Sequence, residues 1–274
     1  MKILVTGGCG YVGSVLVPKL LNLNHKIISL DTQWFGNYLE PHNNLEVLKK
    51  DIRDLVKNDL EDIDIVIHLA AIANDPCSEL DPKLSWEVGA LSTMRLADFA
   101  YKSGVKQIIY ASSGSVYGVK KEKNVTEDLD LDPISEYNKN KMVSERVLLS
   151  YKDNMVIQIV RPATVCGLSP RMRLDVAVNL LTMQALNNNE ITVLGGEQTR
   201  PNIHIDDITD IYLFLIDNPQ HVGIYNAGFE NISIMDIALS IKSKLNVPIT
   251  IKESNDPRSY RVDSSKLINA GFKP

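Results

Sequence analysis

Glycines that follow the first apolar run of the chain constrain its fold more than any other feature. The apolar residues Ile3, Leu4 and Val5 precede the segment Gly7-Gly8-Cys9-Gly10-Tyr11-Val12-Gly13. Apolar side chains then recur at the spacing of an amphipathic helix, at Val12, Val15, Leu16, Leu20 and Leu21. The pattern predicts a strand, a glycine turn and a helix, which is the context in which a glycine motif binds a nucleotide.

The glycine turn is predicted to bind a pyrophosphate. Glycines let the backbone approach a ligand closely, and the N-terminus of the next helix offers free N–H groups and a partial positive charge. The residues expected to form this contact are Gly7, Gly10, Tyr11, Val12 and Gly13.

A second predicted strand, over residues 26–30, ends at Asp31. An acidic residue about 20 residues past the glycines accepts hydrogen bonds from the ribose of a dinucleotide. Its carboxylate would repel a 2′-phosphate, and no arginine follows it closely, so the sequence favours NAD over NADP. A plain turn role for Asp31 stays open.

The order of apolar segments predicts an α/β fold. Strand-like runs at residues 46–48, 64–69 and 107–111 alternate with helical patterns, the longest of which extends from Pro82 to Ser103. Such alternation is typical of a parallel sheet with helices on both faces, where ligands bind at the carboxyl ends of the strands. His68, at one such end, is interpreted as a packed residue.

Composition excludes several other classes of protein. The 274 residues carry a net charge of −5, which gives no basic footprint for nucleic acid. No apolar run approaches the roughly 20 residues that cross a bilayer, so no membrane contact is expected. Cys9, Cys77 and Cys166 share no metal-ligand spacing and suit a reducing compartment. We expect a cytoplasmic protein without a bound metal.

Tyr137 and Lys141 form the strongest candidate for catalytic chemistry. They are four residues apart in a predicted helix over residues 136–149, so their side chains share one face. A nearby ammonium favours the phenolate, and the pair is therefore expected to lower the pKa of Tyr137 toward neutrality. A tyrosine in that state takes a proton from an alcohol while hydride leaves the same carbon.

The joint pattern resembles the extended short-chain dehydrogenase/reductase family, and above all its nucleotide-sugar epimerases and dehydratases. The pattern consists of the G-x-x-G-x-x-G turn, Asp31, Asp51, the Ser112-Ser113-Gly114-Ser115-Val116-Tyr117-Gly118 segment and the Tyr137/Lys141 pair in family order. The resemblance covers essentially the whole chain and implies a Rossmann-type doubly wound parallel sheet with a smaller C-terminal α/β region. Residues 1–165 are expected to bind NAD, and residues 166–274 mainly substrate, with residues near 200–230 returning to the main domain.

The resemblance also implies cofactor contacts that spacing alone does not reveal. Asp51 would accept from the adenine amino group, and the Ile52 backbone would bind the ring edge. Further contacts are implied at Leu69, Ala70, Ala71, Ala73, Ala111, Ser112, Pro162, Tyr137 and Lys141. Two positions depart from the family pattern. Ala73 stands where the family often has lysine, and Gly89 stands where it often has asparagine.

Substrate contacts are implied mainly in the C-terminal third. Ser113 would supply a catalytic hydroxyl and Ser115 a second contact. The remaining candidates are Tyr137, Thr164, Arg173, Asn179, Arg200 and Arg258, where the arginines would grip phosphate. Thr164 stands where the family usually has asparagine, and Cys166 where it has tyrosine.

The resemblance to 4-epimerases gives the leading functional hypothesis, an NAD-dependent nucleotide-sugar epimerase acting at C4. Dehydratases carry an Asp-Glu pair after the serine, whereas this chain has Gly114 and Ser115, which disfavours dehydration. A nucleotide-sugar 4-ketoreductase and a catalytically idle NAD-binding interaction protein remain alternatives. A homodimer through a four-helix bundle, built from helices around 82–103 and 136–151, is implied. Family chains usually continue some 30 or more residues past the position of Pro274, so either the final helices are absent here or a tail has been trimmed.

Overall fold

Twelve strands and nine α-helices are the main regular elements of the described residues. The computed structural model describes residues 1–254 and 259–274. The strands are β1 (Lys2–Thr6), β2 (Lys26–Asp31), β3 (Leu45–Lys49), β4 (Ile65–His68), β5 (Gln107–Ala111), β6 (Val156–Pro162), β7 (Thr164–Cys166), β8 (Ile191–Leu194), β9 (Thr199–His204), β10 (Gly223–Ala227), β11 (Glu230–Ser233) and β12 (Ile249–Lys252). The helices are α1 (Gly13–Asn22), α2 (Asp75–Leu80), α3 (Pro82–Trp86), α4 (Ser92–Ser103), α5 (Glu136–Leu149), α6 (Ala177–Asn188), α7 (Ile205–Asp217), α8 (Ile234–Leu245) and α9 (Ser265–Asn269).

The main sheet has seven strands in the order β10-β6-β5-β4-β1-β2-β3, and every neighbouring pair is parallel. Parallel sheets are buried on both faces, which explains the continuous apolar runs in β1 and β4. One apolar cluster joins the sheet to α1 and α7, and a second joins it to α4 and α5. The predicted doubly wound Rossmann-type fold is confirmed.

Smaller sheets lie in the C-terminal third. β11, β9 and β7 form one, and β12 pairs with β8. Buried side chains of α6 and α8 pack against the second of these. The chain also returns to the main sheet, because α7 joins the first apolar cluster and β10 pairs with β6. The assignment of cofactor and substrate binding to the two parts of the chain stays a prediction.

Helix α5 has the predicted bounds, which its capping residues explain. Ser135 accepts a hydrogen bond from the Asn138 N–H, and Glu136 lies in the first turn, where a carboxylate is favoured. The long helical pattern from Pro82 to Ser103 is present as α3 and α4, but a π-helical turn, Glu87–Leu91, separates them. The sequence did not predict this turn.

Close packing of backbone on backbone explains Gly7 and Gly13. Gly7 has a φ of +75°, and a Cβ there would lie 2.8 Å from the Ala70 nitrogen at the end of β4. A Cβ at Gly13 would lie 2.5 Å from the Gly7 oxygen and 2.6 Å from the Gly8 Cα. The first turn of α1 therefore packs directly on the glycine turn.

We expect Gly13→Ala to destabilise the protein by about 1–3 kcal/mol, because backbone atoms cannot yield to the added methyl group. This cost outweighs the roughly 0.4–1 kcal/mol that removal of a glycine from the unfolded chain contributes. Urea unfolding measures the difference. Gly10→Ala is the matched control, since its Cβ would meet only the Gly7 oxygen, at 3.1 Å. Equal stability losses in the two variants would contradict the packing argument.

Candidate active site

The glycine turn and the start of α1 form a cradle at the carboxyl end of β1. The Gly10 N–H donates to the Gly7 oxygen at 3.1 Å, which closes the turn. Helix α1 begins without a side-chain cap and without an acidic residue in its first turn. Uncapped N–H groups at a helix start suit an anion such as a pyrophosphate. A Cβ at Gly7 or Gly13 would overlap neighbouring backbone atoms, so the glycines keep the turn compact. The compact turn and the uncapped helix start fit a dinucleotide.

Asp31 lies where a ribose-binding carboxylate is expected, at the end of β2 beside the glycine turn. Its Oδ1 accepts from the Gln33 N–H at 2.7 Å, and its Oδ2 accepts from the Cys9 N–H at 3.1 Å. These bonds fix the carboxylate against the cradle. Because a carboxylate has about four acceptor positions, Asp31 retains capacity for ribose hydroxyls.

Asp51 forms an ion pair with a residue of its own turn. The Arg53 side chain donates to both carboxylate oxygens, at 3.1 and 2.9 Å, and also to Glu87 at 2.9 Å. Hydrogen bonds from Arg53 lower the pKa of Asp51. Ile52 is buried. The adenine contacts of Asp51 and Ile52 stay predictions, and Arg53 links that turn to the π-helical turn.

The other predicted cofactor residues lie at the ends of neighbouring strands. Leu69, Ala70 and Ala71 follow β4, and the Leu69 and Ala70 backbone abuts Gly7. Ala111, Ser112 and Pro162 lie at the ends of β5 and β6, and Ala73 is exposed on the loop before α2. This placement gathers them at one edge of the sheet, while their contacts with cofactor remain predictions.

Tyr137, Lys141 and Ser113 come together at this edge. The Lys141 Nζ donates to the Ala111 oxygen at 2.6 Å and lies 5.8 Å from the Tyr137 ring centroid. It also lies 4.8 Å from the Tyr110 ring centroid. Lys141 is buried. Its hydrogen bond to Ala111 connects α5 to the end of β5, which Ser112 and Ser113 follow directly.

The expected lowering of the Tyr137 pKa is wrong for the cofactor-free chain. Burial raises the pKa of Tyr137, and the charge of Arg173 and a hydrogen bond with Ser113 offset this only in part. Burial also lowers the pKa of Lys141 to about 7, while the charge of Glu145 acts in the opposite direction. Helical spacing shows that Lys141 is next to Tyr137 but not that it is buried, and desolvation makes its charge conditional.

The serines are arranged by a residue that sequence reasoning missed. The Ser113 and Ser115 hydroxyls lie 2.7 Å apart, and the Ser115 hydroxyl donates to the Asn138 Oδ1 at 2.5 Å. Asn138 follows Tyr137 on α5 and is buried. A Cβ at Gly114 would lie 3.3 Å from the Pro162 oxygen, so a large side chain has little room there.

A second missed residue, Asn140, precedes Lys141. Its Oδ1 accepts from the Ala90 N–H at 2.8 Å, and its Nδ2 donates to the Ser85 hydroxyl at 3.2 Å. A Cβ at Gly89 would lie 2.5 Å from the Asn140 Oδ1. The Asn140 carboxamide therefore occupies the space beside Gly89 and bonds an N–H of the π-helical turn, which the sequence alone gave no signal to find.

The predicted substrate residues of the C-terminal third lie on several elements, and Asn179 of α6 contacts Tyr11 of the glycine turn. Arg173 pairs with Asp175 at 2.9 Å, and Thr164 lies in β7. Asn179 accepts from the Gly167 N–H and donates to the Tyr11 hydroxyl and the Arg173 oxygen. Both of its amide hydrogens are thus used within the chain. Arg200 lies in β9, and Arg258 lies outside the described residues.

His68 is a packed residue, as expected. It is fully buried, and its ring nitrogens lie 2.6 Å from the Thr6 hydroxyl and 3.0 Å from the Thr93 hydroxyl. Burial lowers the pKa of His68 to about 3, so the ring is neutral. Within residues 1–254 and 259–274, no cluster of His, Cys, Asp or Glu is arranged to hold a metal, and no helix has the length and apolar character that a bilayer requires.

Comparisons with known proteins agree with this geometry. A model of the NAD dependent epimerase/dehydratase family matches residues 3–228. The UDP-glucose 4-epimerase of Lactobacillus helveticus is 26% identical over 307 residues, which cover 100% of this chain and 92% of that protein.

Solved structures extend the similarity to the whole fold. The UDP-glucuronic acid 4-epimerase from Bacillus cereus, in complex with UDP-glucuronic acid and NAD, is 29% identical with a TM-score of 0.85 and covers 98% of this chain and 92% of that one. The UDP-N-acetylglucosamine 4-epimerase from Methanobrevibacter ruminantium M1, at 24% identity, shares the fold with a TM-score of 0.93 over 100% of this chain and 92% of that one. Because the family model matches well over half of the chain, this protein is an enzyme of the NAD dependent epimerase/dehydratase family, and its cofactor is NAD.

Proposed function

We propose that the protein is a nucleotide-sugar epimerase that inverts the configuration at C4. One observation carries the proposal, namely that Tyr137, Ser113 and Lys141 meet beside the glycine cradle at the carboxyl ends of parallel strands. The epimerases of similar sequence and structure support the substrate class, a sugar joined to a nucleoside diphosphate. When bound, NAD supplies a hydride acceptor and donor for the sugar carbon.

The side chains of the site then have distinct roles. The Tyr137 oxygen takes the proton of the C4 hydroxyl as that carbon becomes a ketone, and it returns the proton when the alcohol forms again. Ser113 donates a hydrogen bond to the same sugar oxygen. The Lys141 ammonium stabilises the phenolate, and the residues of the cradle with Asp31 hold the dinucleotide.

Dehydration is the less favoured reaction for this site. Elimination of water needs an acid and a base beyond Tyr137. The candidate positions hold Gly114, which has no side chain, and Ser115, whose hydroxyl bonds to Asn138. A 4-ketoreductase would use the same residues but would consume a reduced nicotinamide cofactor in each turnover. An idle NAD-binding protein would leave the assembled Ser113, Tyr137 and Lys141 without a purpose.

We also propose that the two parts of the chain bind different ligands. Residues 1–165 would bind NAD, because they supply the cradle and Asp31. Residues 166–274 would mainly hold the nucleoside diphosphate, and Arg173 is half-buried near Tyr137. The three cysteines are free, which supports the proposed cytoplasmic location.

Tyr137→Phe should keep NAD binding and reduce turnover by about 10²–10⁴-fold, because the variant cannot hold the substrate proton. The measurement is NMR of the sugar product from UDP-glucose and UDP-glucuronic acid, with mass spectrometry of co-purified NAD. Tyr151→Phe, the same chemical change two residues beyond α5, is the control and should keep full activity. A requirement for stoichiometric NADH would favour the ketoreductase, and NAD binding without turnover on any nucleotide sugar would favour the idle protein.

We propose a homodimer through α4 and α5, because α4 and the residue that precedes it expose apolar side chains. Leu91, Met94 and Tyr101 are each about half exposed and recur at helical spacing. Met94→Asp should shift the protein toward the monomer in size-exclusion chromatography with light scattering. Leu239→Asp, at a position of similar exposure on α8, is the control and should leave the mass unchanged. A monomeric unmodified protein would refute the dimer.

A further inference from the structure

A buried ion pair lies directly behind the catalytic side chains. Arg161 of β6 donates to both carboxylate oxygens of Glu145, at 2.9 and 2.7 Å. Their side chains are only 2% and 1% exposed. The Ser112 hydroxyl donates to the same carboxylate at 2.5 Å. Removing two charges from water costs several kcal/mol per ion, so a pair this deeply buried is weak evidence for stability alone.

The ion pair belongs to a longer network of hydrogen bonds. Arg161 also donates to the Tyr117 hydroxyl at 2.7 Å, and Tyr117 donates to the Asn226 Oδ1 at 2.7 Å. Asn226 then bonds the Val125 and Asp263 oxygens. The network extends from the ends of β5 and β6 to the C-terminal part of the protein.

Glu145 lies one helical turn after Lys141 on α5, so the two side chains share a face. Several other groups surround Lys141. Tyr137 is on the same helix, Tyr110 comes from β5, and His68 from β4 is neutral. Arg161 comes from β6 and pairs with the Glu145 carboxylate.

We propose that Glu145 is a positioning residue that keeps Lys141 charged inside the protein, and that Arg161 and Ser112 hold its carboxylate for that purpose. The inference rests on the proposed function insofar as Lys141 assists Tyr137. Burial alone drives Lys141 toward the neutral amine, whereas the charge of Glu145 favours the ammonium. Loss of Glu145 should therefore release the proton of Lys141 at lower pH.

The stability of the cofactor-free protein gives a readout that needs no substrate. The pKa of Lys141 falls from 10.5 in the unfolded chain to about 7 in the folded one. Between these values the unfolded chain binds more protons, so the free energy of unfolding rises with pH. Lys141→Met removes this contribution. The difference in the free energy of unfolding between proteins with and without this substitution gives the contribution of Lys141.

The experiment measures urea unfolding from pH 5 to 10 for the wild type, Glu145→Gln and Tyr117→Phe, each with and without Lys141→Met. In Glu145→Gln the Lys141-dependent rise should begin about one pH unit lower, a ~10-fold change in the charged fraction. Tyr117→Phe removes hydrogen bonds of the same network and no charge, so the onset should not move. General loosening would hydrate Lys141 and move the onset to higher pH.

An onset that stays in place or moves upward in Glu145→Gln would overturn the proposal. If that variant does not fold, Glu145→Gln with Arg161→Met removes both charges, and its onset should lie below that of Arg161→Met alone, which keeps the carboxylate. The alkaline limb of turnover against pH should move downward in parallel. A protein without turnover would refute the proposed function, while the unfolding measurement would still decide the role of Glu145.

Discussion

The hydrogen bond from the Lys141 ammonium to the Ala111 oxygen joins the two parts of the proposed active site, α5 and the end of β5. Lys141 belongs to α5, and Ala111 ends β5, so this 2.6 Å contact sets the distance between Tyr137 and the Ser112-Ser113 turn. It also places a charged group in a buried position, where water cannot stabilise it. Within the protein, the ring of Tyr110 and the charge of Glu145 both favour the ammonium.

The sequence predicts the main sheet well because its signals are local. An apolar strand, a glycine turn and an amphipathic helix follow each other within about 20 residues, and β1, the cradle and α1 form as expected. The same holds for α5, whose cap and helical spacing are both visible in the chain. Family order added the proposed catalytic residues Ser113, Tyr137 and Lys141, which the structure brings together.

The missed features are contacts between distant segments. Asn140 matters because α5 packs beside the π-helical turn at Gly89, and Asn138 because it meets Ser115. Spacing along one helix cannot reveal either contact. The wrong expectation for the Tyr137 pKa has the same origin, since the pattern showed the neighbouring charge but not the burial that opposes it.

Three arginines of the site form ion pairs with carboxylates. Arg53 pairs with Asp51, Arg173 with Asp175 and Arg161 with Glu145. An arginine keeps its proton in each of these settings, so the pairs act as fixed charges. Lys141 differs, because its pKa falls to about 7 and its charge can change within the physiological range. A lysine whose protonation depends on its surroundings can respond to a bound ligand, whereas an arginine at the same position would not.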